Sequence, residues 1–193
     1  MRPTFQLDGQ PAPALDRDLI EAAIDERADA ACCRVVWLNW GDVGGVPGYL
    51  HFDAGLAAGR ALHVALDDDL VFAGVVDALE ARYPAGQAPS LAATASGRLT
   101  APADAGAPAF RLGATLRDCV VRTSHAAADG QTSTTAEATV GFDSRVRVGA
   151  AVLLAGLGAS VDGTYAIVEA RHRYDPEHGL RSGFSAVRRA WIA

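Results

Sequence analysis

Leu70-Val71-Phe72-Ala73-Gly74-Val75-Val76-Asp77-Ala78-Leu79-Glu80 is the stretch whose reading decides the fold. Its β-branched and aromatic residues suit a pleated strand. Gly74, in the middle of so long a run, marks a bulge or a close backbone approach, by which a long strand bends as barrel strands must. Turn signals flank it, Asp67-Asp68-Asp69 before and Pro84 to Pro89 after. Apolar runs at Tyr49 to Phe52, Ala61 to Leu66 and Leu91 to Ala95 continue the spacing, broken by Gly55 and Gly59. Short strands at such intervals predict an all-β, mainly antiparallel fold.

Working outward, Phe5-Gln6-Leu7 reads as a strand that ends at Asp8-Gly9 and the proline-rich stretch Gln10 to Leu15. The next segment fits two periods: Leu19, Ile20, Ala23 and Ile24 form a helical face, while Ile20, Ala22 and Ile24 alternate. Propensity favours one short helix near Asp18 to Ala28. Cys33 to Trp40 reads as a strand closed by the glycine-rich loop Gly41 to Gly48.

Thr100 to Ala109 holds no large apolar residue and reads as a boundary. The expected organisation is an N-terminal β lobe over 1–99, a linker over 100–109 and a C-terminal β lobe over 110–193. In the second lobe Thr115 to Ser124 and Thr132 to Val140 form a hairpin around Ala128-Asp129-Gly130, its second arm threonine-rich like a solvent-facing strand. Ala151 to Leu154 follows, then a hairpin of Thr164 to Tyr174 and Leu180 to Arg188. The expected core is Val35, Leu38, Leu62, Val64, Val71, Phe72, Val75, Leu79, Val152, Leu154, Tyr165, Ile167, Val168 and Phe184.

The 193 residues carry 17 basic and 23 acidic side chains, a net charge of -6, and every basic residue is arginine. Without a concentrated basic patch, a nucleic-acid groove is excluded. No apolar run approaches the roughly 20 residues of a membrane span, and Met1 to Leu7 lacks the order of a signal peptide, so the expected location is cytoplasmic. Cys32, Cys33 and Cys119 have no CxxC spacing and read as buried thiols in a reducing compartment.

Each fragment of possible chemistry has an ordinary reading. Gly156-Leu157-Gly158-Ala159-Ser160 fails the GxGxxG spacing and reads as a turn. Alternation puts His172 and Tyr174 on one strand face and Arg171 and Arg173 on the other, which makes His172 a hydrogen-bonded structural histidine. Asp67-Asp68-Asp69 lacks the ligand spacing of a calcium loop and caps a hairpin tip, and Ser124, His125 and Asp129 lack a nucleophile elbow. No catalytic, cofactor-binding or metal-ligating residues are assigned, no cofactor is expected, and the chain reads as no enzyme.

A family resemblance lies in Val148 to Gly158, in Asp162-Gly163-Thr164-Tyr165-Ala166-Ile167-Val168-Glu169-Ala170-Arg171-His172-Arg173-Tyr174-Asp175, and in Gly179-Leu180-Arg181-Ser182-Gly183-Phe184. These resemble the closing segment of phage late control gene D proteins and their VgrG-type relatives, the baseplate hubs of contractile injection systems. Phe5 to Gly9, Gly59 to Leu66 and Leu70 to Glu80 are similar to the family's opening. The family's long helical region between these parts is absent, so the chain looks like a shortened hub. The resemblance implies barrels related to the tail-tube protein, six from three chains, adapting tube to spike. It also implies assembly with itself, as a homotrimer in preference to a hexamer of merged barrels, and partners among inner tube, spike and baseplate proteins.

Two loops are expected to face those partners, Gly41 to Gly48 and Pro84 to Pro89, with Trp37, Trp40 and Tyr83 beside them. The rival reading is a small ligand-binding or enzymatic β-barrel whose cavity uses His172 and Tyr174. A third is a free-standing interaction module.

Overall fold

Alternation writes the strands. In the strand Ala30–Leu38, Ala31, Cys33, Val35 and Trp37 are buried, while Cys32 is exposed and Arg34, Val36 and Leu38 are half-buried. That is the period of a strand with one face on a core. The computed structural model describes residues 2–28, 30–51, 55–66, 69–100, 106–126 and 131–191. The fold is antiparallel β nearly throughout, as expected, with one short helix. Two compact units emerge: Met1–Asp25 with Asp29–Thr100 and Arg173–Leu180, and Glu26–Ala28 with Ala101–His172 and Arg181–Ala193.

The first unit holds β1 (Thr4–Leu7), β2 (Gln10–Pro11), helix α1 (Pro13–Asp18), β3 (Leu19–Arg27), β4 (Ala30–Leu38), the hairpin β5 (Gly41–Val43) and β6 (Val46–Gly48), β7 (Ala61–Leu66), β8 (Asp69–Arg82) and β9 (Ser90–Leu99). The sheet runs β3-β4-β9-β8-β7-β1-β2, with β5-β6 apart. Its two ends come together. Arg2, just before β1, donates to the carbonyls of Arg17 and Leu19 at 2.9 and 2.8 Å. Phe5 of β1 meets Trp37 of β4 edge-on at 5.4 Å although three strands separate them in the sheet. Only a sheet curled around its core allows this.

The second unit holds β10 (Ala109–Arg111), β11 (Leu116–Ala126), β12 (Gln131–Gly141), β13 (Ala151–Ala155), β14 (Gly163–Asp175) and β15 (Gly179–Trp191). Its order is β11-β12-β15-β14-β13-β10, with β10 parallel to β13. The strands at the two ends are consecutive in the chain, joined by a tight turn in which Leu112 bridges Leu116. Phe110 of β10 stacks on Phe184 of β15 at 5.8 Å, again across the interior. Val140, Val146, Val152, Leu154, Tyr165 and Ile167 complete this core.

Setting aside the short β2, β5 and β6 and ranking the remaining strands of each unit along the chain, both sheets read 2-3-6-5-4-1. The likeness extends to registers. Leu62 faces Gly74 as Val152 faces Tyr165. Gly59 N–H donates to Val76 and Val76 N–H to Arg60, at 2.8 and 2.9 Å; Gly149 donates to Ile167 and Ile167 to Ala150, both at 2.9 Å. Gly59 and Gly149 sit at φ 87° and 83°, a backbone conformation that favours glycine.

Several expectations need correction. The helix spans Pro13–Asp18, started by a proline at its first turn, and the residues read as helix form β3, where Leu19, Ala22 and Ile24 are buried. Pairing with β4 overrides helical propensity there. Gly74 is no bulge: it stays in register with Leu62 and Gly97, and β8 is irregular instead around Val71 and Asp77. The close approach does exist, since a methyl on Gly74 would come within 2.5 Å of Phe72 Cζ. Val75 points to the outer face, and Leu79 and Val168 are likewise exposed; Leu38 is half-buried. β12 is no solvent-facing arm, because it lies between β11 and β15 and buries Thr134, Ala136, Ala138 and Val140. The expected turn at 128–130 and half of the linker, 101–105, lie outside the described residues. Cys33 is buried, Cys119 half-buried and Cys32 exposed, so not all three thiols are interior.

Candidate interaction surface

Where β4 ends, the chain is pinned from inside. Asn39 is buried; its backbone N–H donates to Pro89 at 2.9 Å and its Oδ1 accepts the His51 N–H at 2.8 Å. Both ends of the connection are thereby held, and the segment between them projects as the β5–β6 hairpin. Its turn residues, Gly44 and Gly45, have φ 66° and 91°, the positive values a tight two-residue hairpin turn requires, and Asp42 Oδ1 accepts the Gly45 N–H at 2.7 Å.

Three aromatic rings stand at the base of this hairpin. Trp40 meets Tyr49 edge-to-face at 5.3 Å, and Tyr49 meets Tyr83 at 5.7 Å. Their exposures are 40%, 46% and 57%, and Val43 and Val46 on the hairpin stand out at 47% and 63%. Rigid, amphipathic rings gathered with exposed valines are the composition of an interface core. Of the aromatics singled out from sequence, Trp40 and Tyr83 face outward together, while Trp37 is wholly buried against Phe5. Tyr49 escaped the sequence reading as a surface residue, while Val43 and Val46 fall within the Gly41 to Gly48 loop expected to face partners; their signal was the apolar flanks of the Gly44-Gly45 turn. Residues 84–88 are exposed, and Pro89 anchors the loop through its carbonyl.

No set of reactive groups matches this surface. In the first unit a cleft of about 280 Å³, lined by Leu7, Pro11, Leu15, Leu56, His51 and Arg60 among others, is at the small end for ligand sites. His51 lies within it, Nε2 3.0 Å from Asp18 Oδ2. Burial lowers the His51 pKa despite that carboxylate, and the hydrogen bond from Arg17 holds Asp18 low. The arrangement keeps Asp18 charged and braces the residues after α1.

In the second unit His172 is buried, as its strand parity predicts, and so is its neighbour Tyr174 in the first. His172 Nδ1 lies 2.9 Å from Ser182 Oγ, which also accepts the Asp143 N–H at 3.1 Å. Burial, aided by the Arg147 charge, pushes the His172 pKa down to about 4. A neutral imidazole buried in this way is structural. The amides of Gly156, Leu157 and Gly158 all donate to the Asp162 carboxylate, at 3.1, 2.7 and 3.1 Å, and these bonds hold its pKa low. The turn reading of that loop therefore has its own internal anion. Asp69 pairs with Leu66 at a hairpin end and Ser124 is exposed; Asp67, Asp68 and Asp129, and the side chain of His125, lie outside the described residues. Among the described residues no three His, Cys, Asp or Glu side chains gather as metal ligands, and no helix is long and apolar enough to cross a membrane.

No family model matches the chain, and no curated protein does. Solved structures do. The 43 kDa tail protein of prophage MuSo2 from Shewanella oneidensis superposes with a TM-score of 0.67 at 10% identity, over 97% of this chain and 98% of that one. The tail protein from Neisseria meningitidis MC58 gives 0.65 at 8% identity, over 97% and 96%. The E. coli c3393 protein, described as a component of the type VI secretion system with structural similarity to the T4 bacteriophage tail proteins gp27 and gp5, gives 0.60 at 8% identity over 94% of this chain and 76% of that one. Nearly end to end, the chain has the fold of tail and secretion-system proteins.

Proposed function

We propose that the chain is a structural component of a phage tail-like contractile particle, a baseplate hub or tube-initiating ring that joins inner tube to spike. The observation that carries this reading is the repeated strand order: two units with the same order of strands, differing in the direction of the first, in a chain that follows the tail-protein fold over 97% of its length. Three such chains would offer six units, so a homotrimer is favoured over a hexamer. The Trp40, Tyr49 and Tyr83 surface faces an inner tube, spike or baseplate protein. Tail proteins as structural neighbours support a role in assembly in preference to catalysis.

The test is to express an affinity-tagged chain with its neighbouring genes, purify the particles and image them. Three copies at the junction of tube and spike are expected. Copies repeated along the tube, or tagged chain absent from intact particles, overturn the proposal.

A further inference from the structure

We infer that the outer edge of β11 takes up the open half of β8 from a second copy of this chain. The inference rests on the assembly reading above and names one of its joints. It starts from a difference between equivalent strands. Among the described residues β11 ends its sheet: β12 pairs one side along its length, while the other meets only the Leu112 bridge at Leu116. Over residues 117–126, roughly 33 Å at strand spacing, that side has no strand partner among the described residues. So long an open edge is a template for another strand.

The equivalent strand of the first unit is not open. β3 has β14 beside it in the sheet, and the end of β14, residues 173–175, belongs to that unit. The second strand of the repeat thus has the end of a fifth strand beside it there. The other fifth strand is β8. Its side toward β7 is occupied as far as Val76, which exchanges hydrogen bonds with Gly59 and Arg60; residues 77–82 have no strand on that side among the described residues. The matching point in β14 is Ile167, beyond which that strand runs on to its place beside β3.

Among the described residues one chain therefore carries one open second-strand edge and one open fifth-strand half, with no strand of its own paired to either. A second copy supplies what each lacks. The side chains suit the joint: Leu79 on β8 and Val120 on β11 are exposed apolar residues, at 37% and 42%. Residues 77–82 hold two acids and one arginine, a net of -1, and residues 117–126 hold two arginines and one acid, a net of +1. Each chain would use one surface as donor and the other as acceptor, a head-to-tail association.

Leu79→Lys and Val120→Lys test the joint by light scattering. Wild type should associate with rising concentration, and each variant alone should associate at least tenfold more weakly. An equimolar mixture should form a one-to-one dimer and nothing larger, because Leu79→Lys keeps an intact β11 and Val120→Lys an intact β8. A misfolded variant could not rescue its partner, so dimer formation also reports folding; Leu79→Thr and Val120→Thr, which keep strand propensity, should assemble like wild type. Unimpaired association of the lysine variants, a mixture that stays monomeric while both variants keep the wild-type circular dichroism, or a wild type monomeric at every concentration overturns the joint. Tagged chain still found at the tube–spike junction would then leave the functional reading standing. A rescued dimer without any chain in particles would do the reverse.

Discussion

The two units share a strand order but are finished differently. In the first, the link from the third strand to the fourth carries the β5–β6 hairpin, flanked by the exposed rings of Trp40 and Tyr49. In the second, the same link is short and turned inward: Val146 is buried and Asp143 is tied to Arg145 at 2.7 Å. Just after them Arg147 pairs with Glu26 at 3.1 Å, both mostly buried, and Glu26 also accepts the Val148 N–H at 2.8 Å. One frame thus yields a protruding surface in one unit and a locked rim in the other. Topology sets where strands go, and the connections set what each unit can touch.

The sharpest way to break the comparison is through the two cores. The first is filled around Trp37, Phe5 and Phe72, the second around Tyr165, Phe110 and Phe184. Trp37→Ala should cost about 4 kcal/mol, the usual loss for emptying a fully buried tryptophan. Urea unfolding followed by circular dichroism measures it, and a loss under about 1 kcal/mol would mean that the first core does not depend on this ring.

Glycines in the sixth strand of each unit give the next effect. Gly97 of β9 lies against β8: a methyl there would run into the Ala73 carbonyl and come within 2.5 Å of Gly74 Cα, backbone atoms that cannot swing aside. Gly183 of β15 has its nearest neighbour, the Ala138 carbonyl, at 3.6 Å, an ordinary contact. Gly97→Ala should destabilise by about 3 kcal/mol, while Gly183→Ala should stay within about 0.5 kcal/mol. Equal unfolding midpoints for the two variants would remove the close approach from the account of how β8 bends.

Acid should act through the second unit. His172 takes up a proton near pH 6.5 when unfolded but only at about 4 when folded, because burial keeps the imidazole neutral. Its contribution is complete above pH 6.5 and is lost as pH falls toward 4, where the unfolded chain binds the extra proton. The shift corresponds to roughly 3 kcal/mol. His172→Gln should flatten the fall in urea midpoint between pH 7 and pH 4.5; an unchanged slope would place the acid sensitivity elsewhere.

How much of this was legible follows from which signals are local. Strand parity is local, so His172 and Tyr174 inward against Arg171 and Arg173 outward could be read directly. The same parity, carried from Cys33 and Val35, puts Trp37 inward and separates it from Trp40, a distinction the sequence reading left open. Bulge positions are not local. The irregularities at Val71 and Asp77 depend on partner strands, and with them went the misplacement of Val75 and Leu79 in the core. The helix failed similarly, since residues 19–24 satisfy both periods and only the pairing of β3 decides. Tyr49 was invisible because its partners arrive from two separate loops. The repeat itself hides in sequence, where Gly59-Arg60-Ala61-Leu62 answers to Gly149-Ala150-Ala151-Val152 with little beyond the glycine to mark it.

A small stability effect carries the largest expectation for assembly. Trp40 stands three residues after Trp37, but on the opposite parity and beyond the last residue of β4, so its ring rests on Tyr49 and not in the core. With 40% of it already in water, Trp40→Ala removes little buried area, and its cost to folding should be about 1 kcal/mol or less. At an interface the balance reverses. A partner that covers Trp40, Tyr49 and Tyr83 desolvates the whole ladder, and tryptophan and tyrosine truncations at such centres commonly cost 2 kcal/mol or more, about thirtyfold in binding. Trp40→Ala should therefore leave the thermal melt nearly unchanged and deplete the chain from purified particles, and Tyr83→Ala should do the same through a separate loop. If Trp40→Ala instead lowered the melt as far as Trp37→Ala does, the ring would belong to the core, and the projecting hairpin would lose its claim to be the face that meets a partner.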